Sequence, residues 1–346
     1  MALERTVLND EIAAHLLSQN YGIHLVSMQK LKLGTANCFR VYDGDRYFFL
    51  KEFQSSFSEN AVIREAKLCD SLSNAGIPTT HFYKTNGDEF VIKYQGHMIC
   101  LEEYIDGQTY GYDDLPSHLL LQVGEMLGKL HHALKNYPLP MDMSDKWTGS
   151  FSADHVRAQY DALIKIAENN PNDKNTNRII EDLQYKKQLA DRLEEYKKYY
   201  EGITYSSSHG DYQGCQLIFD ENKIKAIIDF SSATCLPVTW EIMRSFVQSS
   251  KDCRARAKID VASFCEYVRE YMKNFPLTKT DMIAMPYVYL FQLARSKYGY
   301  PQYLNSDSED REGLLQFAFW RTQMCREVEV NAEAISNELL KLLEKK

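Results

Sequence analysis

Two aspartates and an amide lie close together in the stretch His209-Gly210-Asp211-Tyr212-Gln213-Gly214-Cys215-Gln216-Leu217-Ile218-Phe219-Asp220, with Ile227-Ile228-Asp229-Phe230 just beyond it. Leu217–Phe219 and Ile224–Ile228 are short apolar runs, and Asp220-Glu221-Asn222-Lys223 between them has turn composition, so an antiparallel hairpin is predicted. With that turn as pivot, Gly214 falls opposite Asp229 and Gln216 opposite Ile227, which sets the side chains of Gln216 and Asp229 on a cross-strand diagonal. Asp211 precedes both on the entering loop. Carboxylate and amide oxygens gathered at the open end of a hairpin suit a hard divalent cation and a general base. A surface hairpin with acidic turn residues has the same spacing.

A second pair of residues stands out because burial and charge conflict. Lys51 ends the run Tyr47-Phe48-Phe49-Leu50-Lys51, and period-two alternation puts it on the face of Phe49 and Tyr47. The helix expected over Glu59–Asn74 has an apolar stripe of Val62, Ala66, Cys69 and Leu72, and Glu65 falls on that stripe. A buried charge is tolerated chiefly when paired. Pairing Lys51 with Glu65 resolves both positions, with Glu59 as the alternative, although its place in the first turn fits a role at the helix dipole better. A lysine at a strand end also commonly snorkels to solvent.

These residues need a scaffold, and the pattern supplies one. A short amphipathic helix over Asp10–Ser18, capped by Asn9 or Asp10, precedes strands at Ile23–Leu33, Cys38–Tyr42 and Tyr47–Phe53, the last two joined at Asp43-Gly44-Asp45. After the Glu59–Asn74 helix, Phe90–Lys93 and His97–Tyr104 form a hairpin about Gln95-Gly96. Beyond Gly107 the chain becomes helical: Leu119–Leu134, Ser152–Glu168, Arg178–Tyr200, a helix from Trp240, then Ile259–Asn274, Thr280–Lys297 and Asp310–Leu343. His131-His132 are read as structural, since adjacent residues point to different helix faces and no third ligand follows. Gly124–Lys129 imitates a phosphate-binding loop, but it is mid-helix and one residue short. Asp173, Asn175 and Asn177 echo a calcium loop, yet Arg178 and Gln184 occupy its Gly and Glu positions, so a polar loop capping a helix is expected.

Composition narrows the function. A chain with 44% hydrophobic and 25% charged residues is ordinary globular protein, and its length allows two lobes. A net charge of −8 argues against nucleic acid as partner and permits a cationic small molecule. The 8 cysteines show no Cys-x-x-Cys spacing, as expected of free thiols in a reducing compartment. No signal-like stretch opens the chain and the apolar run Met285–Ala294 is too short to span a bilayer, so a cytoplasmic protein without membrane partner is expected.

His209-Gly210-Asp211, an amide five residues later, an apolar strand and Ile228-Asp229-Phe230 together resemble the catalytic core of the aminoglycoside phosphotransferase family, a branch of the protein-kinase-like fold that includes choline and homoserine kinases. The resemblance implies an α+β protein of two lobes: residues 1–104 as an antiparallel nucleotide-binding sheet with one helix, and 105–346 as a mostly helical lobe with the catalytic loop 209–230 and the acceptor site. It implies ATP or GTP as phosphoryl donor and Mg2+ as cofactor. By the same resemblance Asp211 would take the acceptor hydroxyl proton, Gln216 and Asp229 would hold the metal, Lys51 would contact phosphate and Glu65 would fix Lys51. Gly34 would belong to the phosphate-covering loop, Glu103 C=O and Ile105 N–H would bond the base, and Glu241 would steady the catalytic loop. One position departs from the family pattern: Gln216 stands where the family has Asn, which leaves a nucleotide-binding module without turnover as the competing reading. The acceptor is a small molecule. Acidic residues at Asp113-Asp114, Glu241, Asp260, Glu266 and Glu309-Asp310 favour a cationic amino sugar such as an aminoglycoside, or an amino alcohol such as choline. Homoserine and neutral sugars remain alternatives.

Overall fold

The computed structural model describes residues 4–31, 36–141, 151–305 and 310–344. They form two compact units, Met1–Thr109 with Gln216–Ala233 and Tyr110–Cys215 with Thr234–Lys346.

The first unit opens with helix α1 (Asp10–Tyr21), started by the Asn9 side chain, which accepts from Ile12 N–H at 2.8 Å. Strands β1 (Ser27–Leu31), β2 (Asn37–Tyr42) and β3 (Tyr47–Glu52) follow, then helix α2 (Glu59–Asn74) and strands β4 (Phe82–Tyr83), β5 (Ile92–Tyr94) and β6 (His97–Glu103). The strands pair antiparallel in the order β1-β2-β3-β6-β4, with β5 also on β6. Both predicted turns form: Asp43 Oδ1 accepts from Asp45 and Arg46 N–H at 2.8 Å each, and Gln95-Gly96 have φ of 47° and 82°, the backbone a tight hairpin requires.

Period-two alternation gives this sheet two unlike faces. Phe39, Val41, Phe48, Leu50, Ile99 and Leu101 form an apolar core with Leu8, Ala13, Leu16 and Leu17. On the other face Lys51 sits between Cys38 of β2 and Cys100 of β6, with Glu102 two residues further along β6.

The hairpin Leu217–Asp220 with Lys223–Ile227 belongs to this unit. Gln108 and Phe219 exchange backbone hydrogen bonds at 2.8 Å, and Ile227 N–H donates to Pro78 C=O at 2.9 Å. Those bonds tie the hairpin to the segments around Pro78 and Gln108 within the first unit. The register departs from expectation. Phe219 pairs with Ile224 as predicted, but an irregularity between Ile218 and Phe219 slips the ladder by one, so Leu217, not Gln216, lies opposite Ile227. Gln216 instead ends a 3-10 turn, and its C=O accepts from Ile228 N–H at 3.0 Å.

The second unit is mainly helical: α3 (Leu120–Leu134), α4 (Ala153–Glu168), α5 (Thr176–Tyr196), α6 (Val238–Ser249), α7 (Lys251–Arg256), α8 (Val261–Met272), α9 (Lys279–Arg295), α10 (Tyr300–Asn305) and α11 (Arg311–Glu344). Helix α9 packs against both α6 and α11. The glycines that imitate a phosphate loop have a packing reason, because α3 meets α8 so closely that a Cβ at Gly128 would lie 2.3 Å from Tyr271 O and one at Gly124 2.8 Å from Tyr267 O. The calcium-like loop is tied down by Tyr303, whose hydroxyl donates to Asp173 at 2.7 Å and accepts from Asn175 Nδ2 at 2.9 Å. A short ladder of Tyr205–Ser208 with Thr234–Pro237 was not anticipated, since a serine-rich run carries no apolar alternation. The described chain thus has the α+β organisation expected of it.

Candidate active site

In the first unit Lys51 is nearly buried, and its Nζ lies 3.4 Å from Asp229 Oδ1 and 3.8 Å from Glu65 Oε1. The expected pairing with Glu65 is therefore present. Glu59 goes elsewhere, to an exposed pair with Lys93 at 2.6 Å. Burial opposes the charge on Lys51, but Glu65, Asp229 and Glu102 outweigh it and hold its pKa well above the ordinary lysine value. Three carboxylates thus share one ammonium. Burial pushes Glu65 up to about 7 despite Lys51 and a backbone N–H from Phe230, and Glu102, donated to by the Cys100 thiol, is also raised by burial. Asp229 adopts φ 63°, a left-handed conformation that costs a non-glycine residue energy and that clusters at functional positions. Its Oδ1 also accepts from Ser231 Oγ at 2.9 Å.

In the second unit Asp211 sits on a loop held by successive turns of α6. Glu241 accepts from His209 N–H at 3.1 Å and from Gly210 N–H, Arg244 donates to Asp211 Oδ1, and Ser249 Oγ accepts from Gly214 N–H at 2.9 Å. These positions recur at helical spacing on one face of α6. Tyr212 adds a fourth tie through its hydroxyl to Val123 C=O at 3.0 Å. Glu241 is itself held by the fully buried His131, whose Nε2 lies 2.8 Å from Glu241 Oε2 and whose Nδ1 lies 2.7 Å from Tyr271 OH. Burial alone would raise the Glu241 pKa; hydrogen bonds from His131 and Gly210 N–H reverse this and leave it lowered. His131 is accordingly a support of the loop rather than a metal ligand. Sequence reasoning missed that role and missed Arg244, although Arg244 falls three residues after Glu241, the spacing of one helix face.

The remaining expected residues are placed as follows. Glu103 C=O accepts from Thr80 Oγ1 at 3.3 Å and its N–H donates to His81 C=O at 2.8 Å; Ile105 lies two residues beyond the end of β6. Gly34 lies outside the described residues. Among the described residues no group of three or more His, Cys, Asp or Glu is placed to hold a metal ion. Asp229 and Gln216 offer one carboxylate and one amide oxygen, a donor set that suits an ion completed by phosphate and water.

A family model described as "Phosphotransferase enzyme family" matches residues 27–270, which span Lys51, Glu65, Asp211, Gln216, Asp229 and Glu241. No curated protein gives a significant match. Solved structures do. A spectinomycin phosphotransferase in complex with ADP and spectinomycin aligns at TM-score 0.68 and 16% identity, covering 94% of this chain and 99% of that one. A microcompartment-associated aminopropanol kinase aligns at 0.65 and 15%, covering 96% and 100%. An aminoglycoside phosphotransferase from Alicyclobacillus acidocaldarius aligns at 0.61 and 14%, covering 96% and 98%. At these identities the likeness shows the fold, which is the kinase-like α+β fold. Neither comparison supports the competing reading of a module without turnover.

Proposed function

The chain belongs to the phosphotransferase enzyme family, and we propose that it moves the γ-phosphoryl group of ATP or GTP to a hydroxyl of a small-molecule acceptor, with Mg2+ as cofactor. The observation that carries the reading is the Lys51 cluster, a buried ammonium fixed by Glu65 at 3.8 Å and facing Asp229 at 3.4 Å. In the proposed reaction the acceptor oxygen bonds to the γ-phosphorus, the bond from that phosphorus to the bridging oxygen breaks, and the nucleoside diphosphate leaves. Asp211 orients the acceptor hydroxyl and takes its proton, while Arg244 positions the Asp211 carboxylate. Lys51 binds phosphate oxygens, and Glu65 keeps Lys51 in place. Glu103 C=O and Ile105 N–H bond the base. Asp229 and Gln216 would hold Mg2+, which when bound neutralises charge on the phosphates. The acceptor classes to compare are aminoglycosides and other amino sugars, homoserine, choline and neutral sugars.

No described helix is long and apolar enough to cross a membrane. A cytoplasmic setting, without nucleic acid or membrane partner, belongs to the same proposal.

Asp211→Asn tests it. Turnover is expected to fall by about 10²–10⁴-fold, the usual contribution of a general base, while calorimetric affinity for the Mg2+–nucleotide complex stays near that of the wild type. Failure of the wild type to bind any nucleoside triphosphate with Mg2+ would refute the reading.

A further inference from the structure

In the second unit the Arg244 guanidinium binds Asp211. Arg244 spends one guanidinium nitrogen on Asp211, and its Nη1 is buried with no hydrogen-bond partner among the described residues. Arg321, on α11, has a buried Nε in the same condition, as does the hydroxyl of Tyr289 on α9. The three lie on helices that pack together, α9 against both α6 and α11, and Tyr289 is within electrostatic reach of both arginines, as the arginines are of each other. Burial lowers the Arg321 pKa and Arg244 lowers it further. The groups acting on Arg321 in the opposite sense are two phenols, Tyr289 and Tyr160, and the Cys325 thiol, all of which burial keeps protonated at neutral pH. Among the described residues no carboxylate pairs with Arg321.

A buried donor left unpaired is costly, and more so when charged, so such donors on packed helices, one of them on the guanidinium that binds Asp211, suit an acceptor of hydrogen bonds. Several of the features that would attract a cation are meanwhile engaged. Asp113 pairs with Arg254 at 2.8 Å, Asp260 caps α8, Glu266 pairs with Arg269 and Glu241 is enclosed by the loop. The rings of Tyr112, Phe317 and Trp320, which could face an ammonium group, already surround Arg254, whose guanidinium carbon lies 5.2, 5.5 and 4.2 Å from them. Tyr112 is electrostatically coupled to Asp211, so this occupied set of rings borders the same loop.

We propose that the acceptor carries an anionic group, a carboxylate or a phosphate monoester, beside the hydroxyl that is phosphorylated, and that Arg321, Arg244 Nη1 and the Tyr289 hydroxyl receive it. Guanidinium groups match the geometry of carboxylate and phosphate, and charge-assisted hydrogen bonds of this kind are the stronger ones. Because Arg244 donates to Asp211 and to the anion from one rigid plane, it sets the distance between the acceptor's charged end and its reacting hydroxyl. The inference rests on the phosphotransferase reading above.

The test measures Mg2+-dependent nucleotide consumption by the full-length protein with matched acceptors. Glycerate, homoserine and glycerol 3-phosphate form the anionic set; glycerol, homoserine amide and aminopropanol are their uncharged or cationic counterparts. At least one anionic acceptor is expected to exceed its counterpart by on the order of 100-fold in kcat/KM, the effect of losing a charged hydrogen-bond partner. Its apparent affinity should weaken with salt. Which of carboxylate or phosphate is preferred separates the two sources of charge. In Arg321→Gln the ratio of anionic to uncharged acceptor should collapse, and Arg321→Lys should restore part of it, with circular dichroism melting confirming that each variant is folded. Equal use of uncharged or cationic acceptors overturns the inference, as does a folded Arg321→Gln with an unchanged ratio, or wild-type nucleotide hydrolysis that no anionic acceptor raises above the others. If Arg321→Gln does not fold, the wild-type ratio and Arg321→Lys decide. Absence of nucleotide binding and hydrolysis in the wild type strikes instead at the phosphotransferase reading.

Discussion

Glu65 and Glu241 are both buried carboxylates, one in each compact unit, and their acidities move in opposite directions. Burial is therefore not what decides the sign. Glu241 is met by three donors of its own, His131 and the backbone N–H groups of His209 and Gly210. Glu65 has one backbone N–H and a lysine that it shares with Asp229 and Glu102. The Glu241 site is complete in itself and holds a loop in one geometry. The Lys51 site has an excess of negative charge, which suits a place that would take up a metal cation in the proposed reaction.

Replacement of each carboxylate separates the two cases. Glu241→Ala leaves a buried histidine and two backbone donors without their acceptor, and a loss of about 3–5 kcal/mol in folding stability is expected from breaking such a buried group; chemical denaturation reads it directly. A loss below 1 kcal/mol would mean that the loop does not depend on Glu241. Glu65→Gln relieves like-charge crowding, so its stability should stay within about 1 kcal/mol of wild type while turnover falls by roughly 10–100-fold through misplacement of Lys51. An equal loss of stability in both variants would remove the distinction.

The pH dependence sharpens the contrast. Glu65 is raised from 4.5 to about 7 in the folded protein, so its contribution is full below pH 4.5 and is lost as pH rises toward 7. Glu241 is lowered, so its contribution is present above pH 4.5 and is lost as pH falls through its depressed value. The stability difference between wild type and Glu65→Gln should therefore slope between pH 4.5 and 7 in the direction that disfavours wild type at higher pH. A flat difference over that window would show that Glu65 is ionised throughout. The smallest effect is expected at Gln216. Its extra methylene relative to asparagine displaces the amide oxygen by roughly one bond length in a site where Mg2+ demands near-octahedral geometry. Gln216→Asn should lower the Mg2+ concentration for half-maximal turnover, and an unchanged requirement would assign Gln216 another task.

Much of the first unit was legible because its signals are local. Asp43-Gly44 and Gln95-Gly96 carry their turns in a few residues, and Glu65 was conspicuous as a charge on an apolar stripe whose neighbours in sequence define that stripe. The hairpin register was half legible: the turn fixed Phe219 opposite Ile224, but the irregularity between Ile218 and Phe219 has no composition of its own. In the second unit the relevant partners are remote in the chain. His131 meets Glu241 across 110 residues, and Arg244, Tyr289 and Arg321 come from three different helices. Helical periodicity marks which residues are buried; it does not say which buried residues meet.

Gly107 carries a consequence for how such a chain can vary. A Cβ there would lie 2.5 Å from Ile218 Cγ2 and 2.7 Å from Phe219 O, the latter being backbone that cannot swing aside. The segment after β6 and the hairpin bearing Asp229 therefore touch through a position with no room for any side chain. In a saturation library this residue should act as a fixed point. Substitutions in the hairpin and after β6 would be accepted or rejected jointly, so the part of the chain that follows β6 and the part that carries Asp229 are inherited as one piece rather than exchanged between relatives separately.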